Sequence, residues 1–191
     1  MRKLSVTVAA RCLSAGGVIA YPTEAVWGLG CDPLNQTACL SLLQIKHRPV
    51  EKGMILVAAS VKQLEFLLAP LSQQQQNTLV QAWRNPTVTG PVTYLVGDPL
   101  AQVPWWVKGA HLAVAVRVSG HPGVRALCEK FGGPVVSTSA NRAGMPPVRS
   151  RILLEKQLAA ELDFVLPGAL GGAQQPSRII DLATGQVMRA A

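Results

Sequence analysis

The tightest constraint on this chain lies in residues 18–32, VIAYPTEAVWGLGCD. Val18, Ile19, Ala20 and Tyr21 make a short β-favouring apolar run bounded by glycine and proline, which predicts a buried strand. Pro22 has no N–H for a sheet ladder and is expected to end that strand. Thr23, Glu24, Gly28 and Gly30 follow at once. A strand ended in this way delivers polar side chains to the carboxyl end of a sheet, where open α/β proteins bind ligands. The same residues would also make an ordinary strand-to-helix loop.

Comparable runs alternate with helical patterns along most of the chain. Residues 4–15 place Leu4, Val8, Cys12 and Ala15 on one helical face, stopped by Gly16 and Gly17. Asn35 is a good N-cap for a helix through Lys46, with Ala38, Leu42 and Ile45 inward. A strand is expected at 54–58. Ser60 with Gln63 and Ser72 with Gln75 read as capping boxes opening helices at 61–68 and 73–83. Residues 85–91 read as a loop, 92–96 and 112–118 as strands, and Trp105 with Trp106 as an apolar lid, a core edge or a stacking platform. His121-Pro122 opens a helix over 122–131, since proline is tolerated in a first turn. Strands at 134–137 and 164–166 flank a helix at 151–162. A hairpin, 178–182 with 186–189, closes around Ala183-Thr184-Gly185. This pattern predicts an α/β fold with a mixed sheet, and a single domain over 1–191.

Hydrophobic residues make up 49% of the 191 and charged ones 15%, which excludes a disordered chain. No apolar run approaches the ~18–20 residues of a membrane span. Arg11 interrupts the one signal-like stretch at the start, so export is not expected. Four cysteines without CxxC or metal spacing point to a reduced, cytoplasmic protein that uses them as small core residues. A formal charge of +8 calls for an anionic partner, either small-molecule phosphates or a nucleic acid backbone.

The chemistry on offer lacks a P-loop, HExxH and GxSxG, and Gly28-Leu29-Gly30 lacks the third glycine of a dinucleotide fingerprint. The three histidines are isolated and read as surface or capping residues. Lys46, Arg48 and Lys52 form a basic cluster, which could equally be a solvated face. Arg117 is harder to dismiss. Embedded in LAVAVRV, it needs a partner anion, a protein acid such as Glu24 or Asp181, or a place on the solvent face. Ser137, Ser139 and Asn141 alternate after a strand and would share one face, where they could bind a phosphate or an amino acid, or satisfy a turn. Together these groups outline an anion-binding cleft without a nucleophile.

In order along the chain, YPTEAVWGLGCDP, KHRPVEKGMIL, GPVTYLV, LAVAVRVSGHP, VVSTSANRAGMPP and PGALGGAQQPSRIIDL resemble the YrdC/TsaC family of threonylcarbamoyl-AMP synthases. The resemblance spans about 18–189. It implies a twisted mixed sheet flanked by helices, with a concave basic face. It implies that L-threonine, bicarbonate and ATP, with Mg²⁺, give threonylcarbamoyl-adenylate and diphosphate. A partner transferase would then modify the adenosine beside the anticodon of tRNA. Residue by residue, it implies threonine binding by Thr23, Arg117, Ser137 and Ser177. It implies ATP binding by Lys46, Arg48, Lys52, Thr93, Ser139, Asn141 and Arg189, with no residue in a covalent role and no protein-held metal. Three features depart from the family pattern: six residues part Trp83 from Gly90, Pro147 replaces a hydroxyl, and Gly53 replaces a proline. The alternative reading is a non-catalytic module of the same fold that binds double-stranded RNA or tRNA.

Overall fold

The computed structural model describes residues 3–84 and 90–190. Most of the expected loop at 85–91 therefore lies outside the described residues. The strands form one sheet in the order β7-β1-β2-β6-β3-β5-β4-β8-β9. Their bounds are β1 Ile19–Pro22, β2 Trp27–Gly30, β3 Ile55–Ala58, β4 Val92–Gly97, β5 Ala113–Val118, β6 Val135–Ser139, β7 Phe164–Val165, β8 Arg178–Asp181 and β9 Val187–Arg189. The sheet is mixed: β3 runs parallel to β5, and β4 parallel to β8, whereas β6 lies antiparallel to both β2 and β3.

The opening stretch corrects one expectation. Pro22 is the last residue of β1, as expected, but it still pairs with Trp27, and 27–30 is itself a strand, so the turn joins a β1–β2 hairpin and not a strand to a helix. Proline is tolerated because β7 covers only Ile19 and Ala20, leaving the outer edge of Pro22 without a ladder to serve. The glycines of β2 are there for close approach. A Cβ on Gly30 would lie 2.3 Å from the Val136 carbonyl oxygen and 2.8 Å from the Tyr21 ring.

Strand periodicity then sorts the sheet faces. Leu56, Val116 and Val136 point into a core covered by α2 (Gln36–Ile45), α3 (Glu65–Leu68), α4 (Gln73–Arg84), α5 (Trp105–Lys108) and α7 (Arg151–Leu158). Val57 and Val135 point the other way, into a smaller core under α1 (Lys3–Ser14) and α6 (Pro122–Phe131). Arg117, Thr93 and Ser137 alternate with core residues of the first face and so belong to the second.

Two further helices are shorter than expected. Ser60 makes no cap, because the Gln63 side chain instead accepts from Ala59 N–H and donates to the Cys128 carbonyl. The segment becomes a 3₁₀ turn, Val61–Leu64, before α3. Likewise α7 stops at Leu158 and continues as a 3₁₀ turn. The Ser72–Gln75 capping box does form, reciprocally, at the start of α4. His121 caps α6 by accepting from Gly123 N–H. All four cysteines are free thiols; three are buried, and Cys12 is half-buried. No helix among the described residues is long and apolar enough to cross a membrane.

Candidate active site

The part of the second sheet face left uncovered by α1 and α6 carries a cavity of about 720 Å³. Thr23, Arg117, Ser137 and Ser177 reach its wall, as do Arg48, Lys52, Ser139 and Arg189. Lys46, Thr93 and Asn141 do not, and each sits one contact behind it. Lys108 adds a fifth cation, already paired with Asp98 at 2.9 Å.

At one end the β1–β2 turn presents Thr23, whose hydroxyl donates to the Val26 carbonyl at 2.7 Å. Beside it Arg117 faces Glu24, with Nη2 3.5 Å from Oε2. That is an ion pair, too long for a hydrogen bond. Arg117 Nε and Glu24 Oε2 are both buried without a hydrogen-bond partner. Of the two protein acids open to Arg117, Glu24 is the partner. Asp181 is instead turned onto Ala183, Thr184 and its own hairpin. The other Glu24 oxygen is fixed by the Ser119 hydroxyl at 2.6 Å and Gly120 N–H at 3.1 Å. Burial pushes the Glu24 carboxyl up, but the Arg117 charge and the Ser119 hydroxyl outweigh it and hold the group below its ordinary range.

The β8–β9 hairpin supplies Ser177 and Arg189. The Arg189 guanidinium grips the Ser177 carbonyl through Nη2 at 2.7 Å, and the Ser177 hydroxyl meets that of Thr93 at 2.8 Å. Thr93 thus acts on the cavity through Ser177.

At the other end α2 closes in a Schellman turn. Arg48 N–H bonds the Leu43 carbonyl and His47 N–H that of Gln44, with His47 at φ +49°. This left-handed residue turns Lys46 and Arg48 to different sides. Arg48 donates to the carbonyls of Lys52 and Gly53, pinning the turn that carries Lys52. Lys46 is buried and donates to the carbonyls of Ser139 and Asn141, which shapes the chain leaving β6. The Asn141 amide is itself turned back onto the Arg142 and Met145 carbonyls, while its oxygen accepts from the Ser139 hydroxyl.

Burial, with a smaller push from Arg48, lowers Lys46 from 10.5 to about 8. The sign follows from linkage. Below pH 8 the folded chain carries a desolvated charge that the unfolded chain hydrates freely. Between about 8 and 10.5 the unfolded state binds the proton and the folded state does not, so this group's contribution to stability rises with pH. A neutral amine still has two N–H donors for its two carbonyls. Urea unfolding of wild type and Lys46→Met at pH 7 and pH 9.5 should therefore show the difference shifting in favour of wild type as pH rises, by up to about 1.4 kcal/mol per unit. A difference independent of pH would mean that Lys46 titrates normally.

Sequence reasoning named Glu24 only as a possible partner of Arg117 and missed Ser119 and Gly120 altogether. Their sole trace was the SGHP that follows β5.

A basic, hydroxyl-lined cavity with one carboxylate on its wall and no activated nucleophile among the described residues defines a class: proteins that act by positioning anionic ligands. The family model Sua5/YciO/YrdC, described as "Telomere recombination", matches residues 11–191. A threonylcarbamoyl-AMP synthase of Marinobacter nauticus is 53% identical over 97% of this chain and 95% of its own length. One from Acinetobacter baylyi is 48% identical over 99% and 98%. Among solved structures, P. abyssi Sua5 complexed with L-threonine superposes with a TM-score of 0.86 at 26% identity, covering 98% of this chain and 53% of that one. The present chain thus spans about half of that protein. E. coli YciO, at 24% identity and a TM-score of 0.79, shares the fold. The chain belongs to the Sua5/YciO/YrdC family.

Proposed function

We infer that this chain is a threonylcarbamoyl-AMP synthase. The observation that carries the reading is Arg117: a buried guanidinium on the cavity wall that donates no hydrogen bond to any described residue. An arginine so desolvated calls for a planar anion that its parallel donors can grip, and an amino-acid carboxylate fits. Support also comes from relatives of nearly equal length named for this activity, and from the threonine-complexed neighbour.

Threonine lies with its carboxylate on Arg117 and near the hydroxyls of Thr23, Ser137 and Ser177. ATP lies toward Arg48, Lys52, Ser139 and Arg189. Lys46, Thr93 and Asn141 act from behind, holding Ser139 and Ser177 in place. The threonine amine adds to carbon dioxide derived from bicarbonate, losing a proton to give a carbamate. A carbamate oxygen then attacks the α-phosphorus, and the bond to the bridging oxygen breaks to release diphosphate. Such a transfer needs alignment and charge neutralisation rather than a covalent residue.

The donors present do not fit a protein-held Mg²⁺. Glu24 is the one carboxylate on the wall, its Oε1 is taken, and the described residues contain no cluster of three His, Cys, Asp or Glu. We assign the ion to the triphosphate it arrives with. A partner transferase that consumes the adenylate, and contact with tRNA or double-stranded RNA, belong to the same proposal.

Diphosphate release with threonine, bicarbonate and ATP omitted in turn tests the reading. Activity should require all three, and turnover without bicarbonate would overturn it. Lys52 is exposed at the cavity edge, so Lys52→Ala should weaken ATP by roughly tenfold or more while leaving the melting temperature unchanged. Unaltered ATP affinity would return Lys52 to the solvated surface.

A further inference from the structure

Arg117 and Arg189 both line the cavity, and burial together with the Arg117 charge lowers the titration of Arg189. Two guanidiniums on one cavity wall would attract diphosphate or a triphosphate tail at least as strongly as an amino acid, and the reaction supplies both in the same cavity. Glu24 is the one carboxylate among the residues that line this cavity. Its Oε1 is fixed by Ser119 and Gly120, so Oε2 stays toward Arg117. Its backbone is strapped by the 167–176 segment, where Gly171 N–H bonds the Thr23 carbonyl and Ala173 N–H bonds that of Glu24. A Cβ on Gly171 would lie 3.0 Å from the Glu24 Cα, so the strap fits closely.

At 3.5 Å, Glu24 offsets the charge of Arg117 without occupying its N–H donors. The result is a cation and an anion side by side, the complement of a zwitterion. A phosphoryl group, with more charge and no ammonium, would meet Glu24 as a like charge.

We propose that Glu24 is a positioning and specificity-determining residue that reserves Arg117 for an amino-acid carboxylate by excluding phosphates. The inference rests on the threonine-binding reading above.

The test uses the full chain, with threonylcarbamoyl-adenylate formation followed by chromatography and inorganic diphosphate as the probe. In wild type, diphosphate should compete with ATP and not with threonine. In Glu24→Gln the KM for threonine should rise tenfold or more while that for ATP changes less than threefold, and diphosphate should become competitive with threonine. Glu24→Asp keeps the charge and should keep the wild-type inhibition pattern, even with a raised KM. Should Glu24→Gln fail to fold, Ser119→Ala, which leaves Oε1 held by Gly120 N–H alone, should move threonine KM and the inhibition pattern the same way to a smaller extent. A role confined to holding the fold would lower melting temperature and kcat without altering which substrate diphosphate opposes. That result, or competition with threonine already in wild type, would overturn the proposal. A wild type that does not use threonine at all would instead overturn the underlying reading.

Discussion

Arg117→Lys should bind threonine at least thirtyfold more weakly while holding ATP within a factor of two or so. The figure corresponds to the lower end of the roughly 2–5 kcal/mol lost when a buried, hydrogen-bonded charge pair is broken. Lysine keeps the charge, so Glu24 remains paired and the fold is not left with an orphan carboxylate. What it loses is the planar fork whose parallel donors match a carboxylate. The side chain stands on β5 between Val116 and Val118, so lysine is held in the same direction. Separate calorimetric titrations of threonine and ATP decide the matter. Unchanged threonine affinity in a folded variant would remove Arg117 from the site. A phosphate contact to RNA would also tolerate lysine almost fully, which keeps the two readings apart.

Gly30→Ala should cost about 3 kcal/mol or more of stability. The new methyl would stand 2.3 Å from a backbone oxygen of β6, which cannot swing away as a side-chain tip could. Relief requires β2 and β6 to part, disturbing the pairing of Gly28 with Ser139 and of Leu29 with Thr138. The Tyr21 hydroxyl donates to that same Val136 oxygen, so its bond is disturbed too. Urea unfolding measures the loss. A change within about 0.5 kcal/mol, the range of an ordinary surface substitution, would show that the strands relax freely. Because Thr23 lies in the turn leading into β2 and Ser139 ends β6, ligand binding should weaken together with stability.

The α/β class, the mixed sheet and the closing hairpin were legible because apolar period and turn chemistry are local signals. The second strand was not. WGLG has poor β propensity, and its glycines make sense only once Tyr21 and Val136 are seen against them. Ser60 failed as a cap for a similar reason, since Gln63 had a better partner in Cys128, far along the chain. In the site, Arg117 stood out because charge amid an alternating apolar strand is visible in one dimension. The retreat of Lys46 onto two carbonyls, and of Thr93 behind Ser177, comes from contacts between distant segments and leaves no trace in either segment alone.

The order of the strands also bears on how the molecule comes into being. β1 pairs with β7, β2 with β6 and β4 with β8, so most of the ladder joins stretches made at very different times. Topologies of this kind fold slowly, because loop closure precedes the contacts that reward it. On the ribosome, the edge of β4 that β8 will cover, VTYLVG, is left open until the β8–β9 hairpin emerges. Thr23 and Arg117 are synthesised well before Ser177 and Arg189. A nascent chain therefore has part of its cavity wall and an open strand edge, and both conditions end with the docking of a single hairpin.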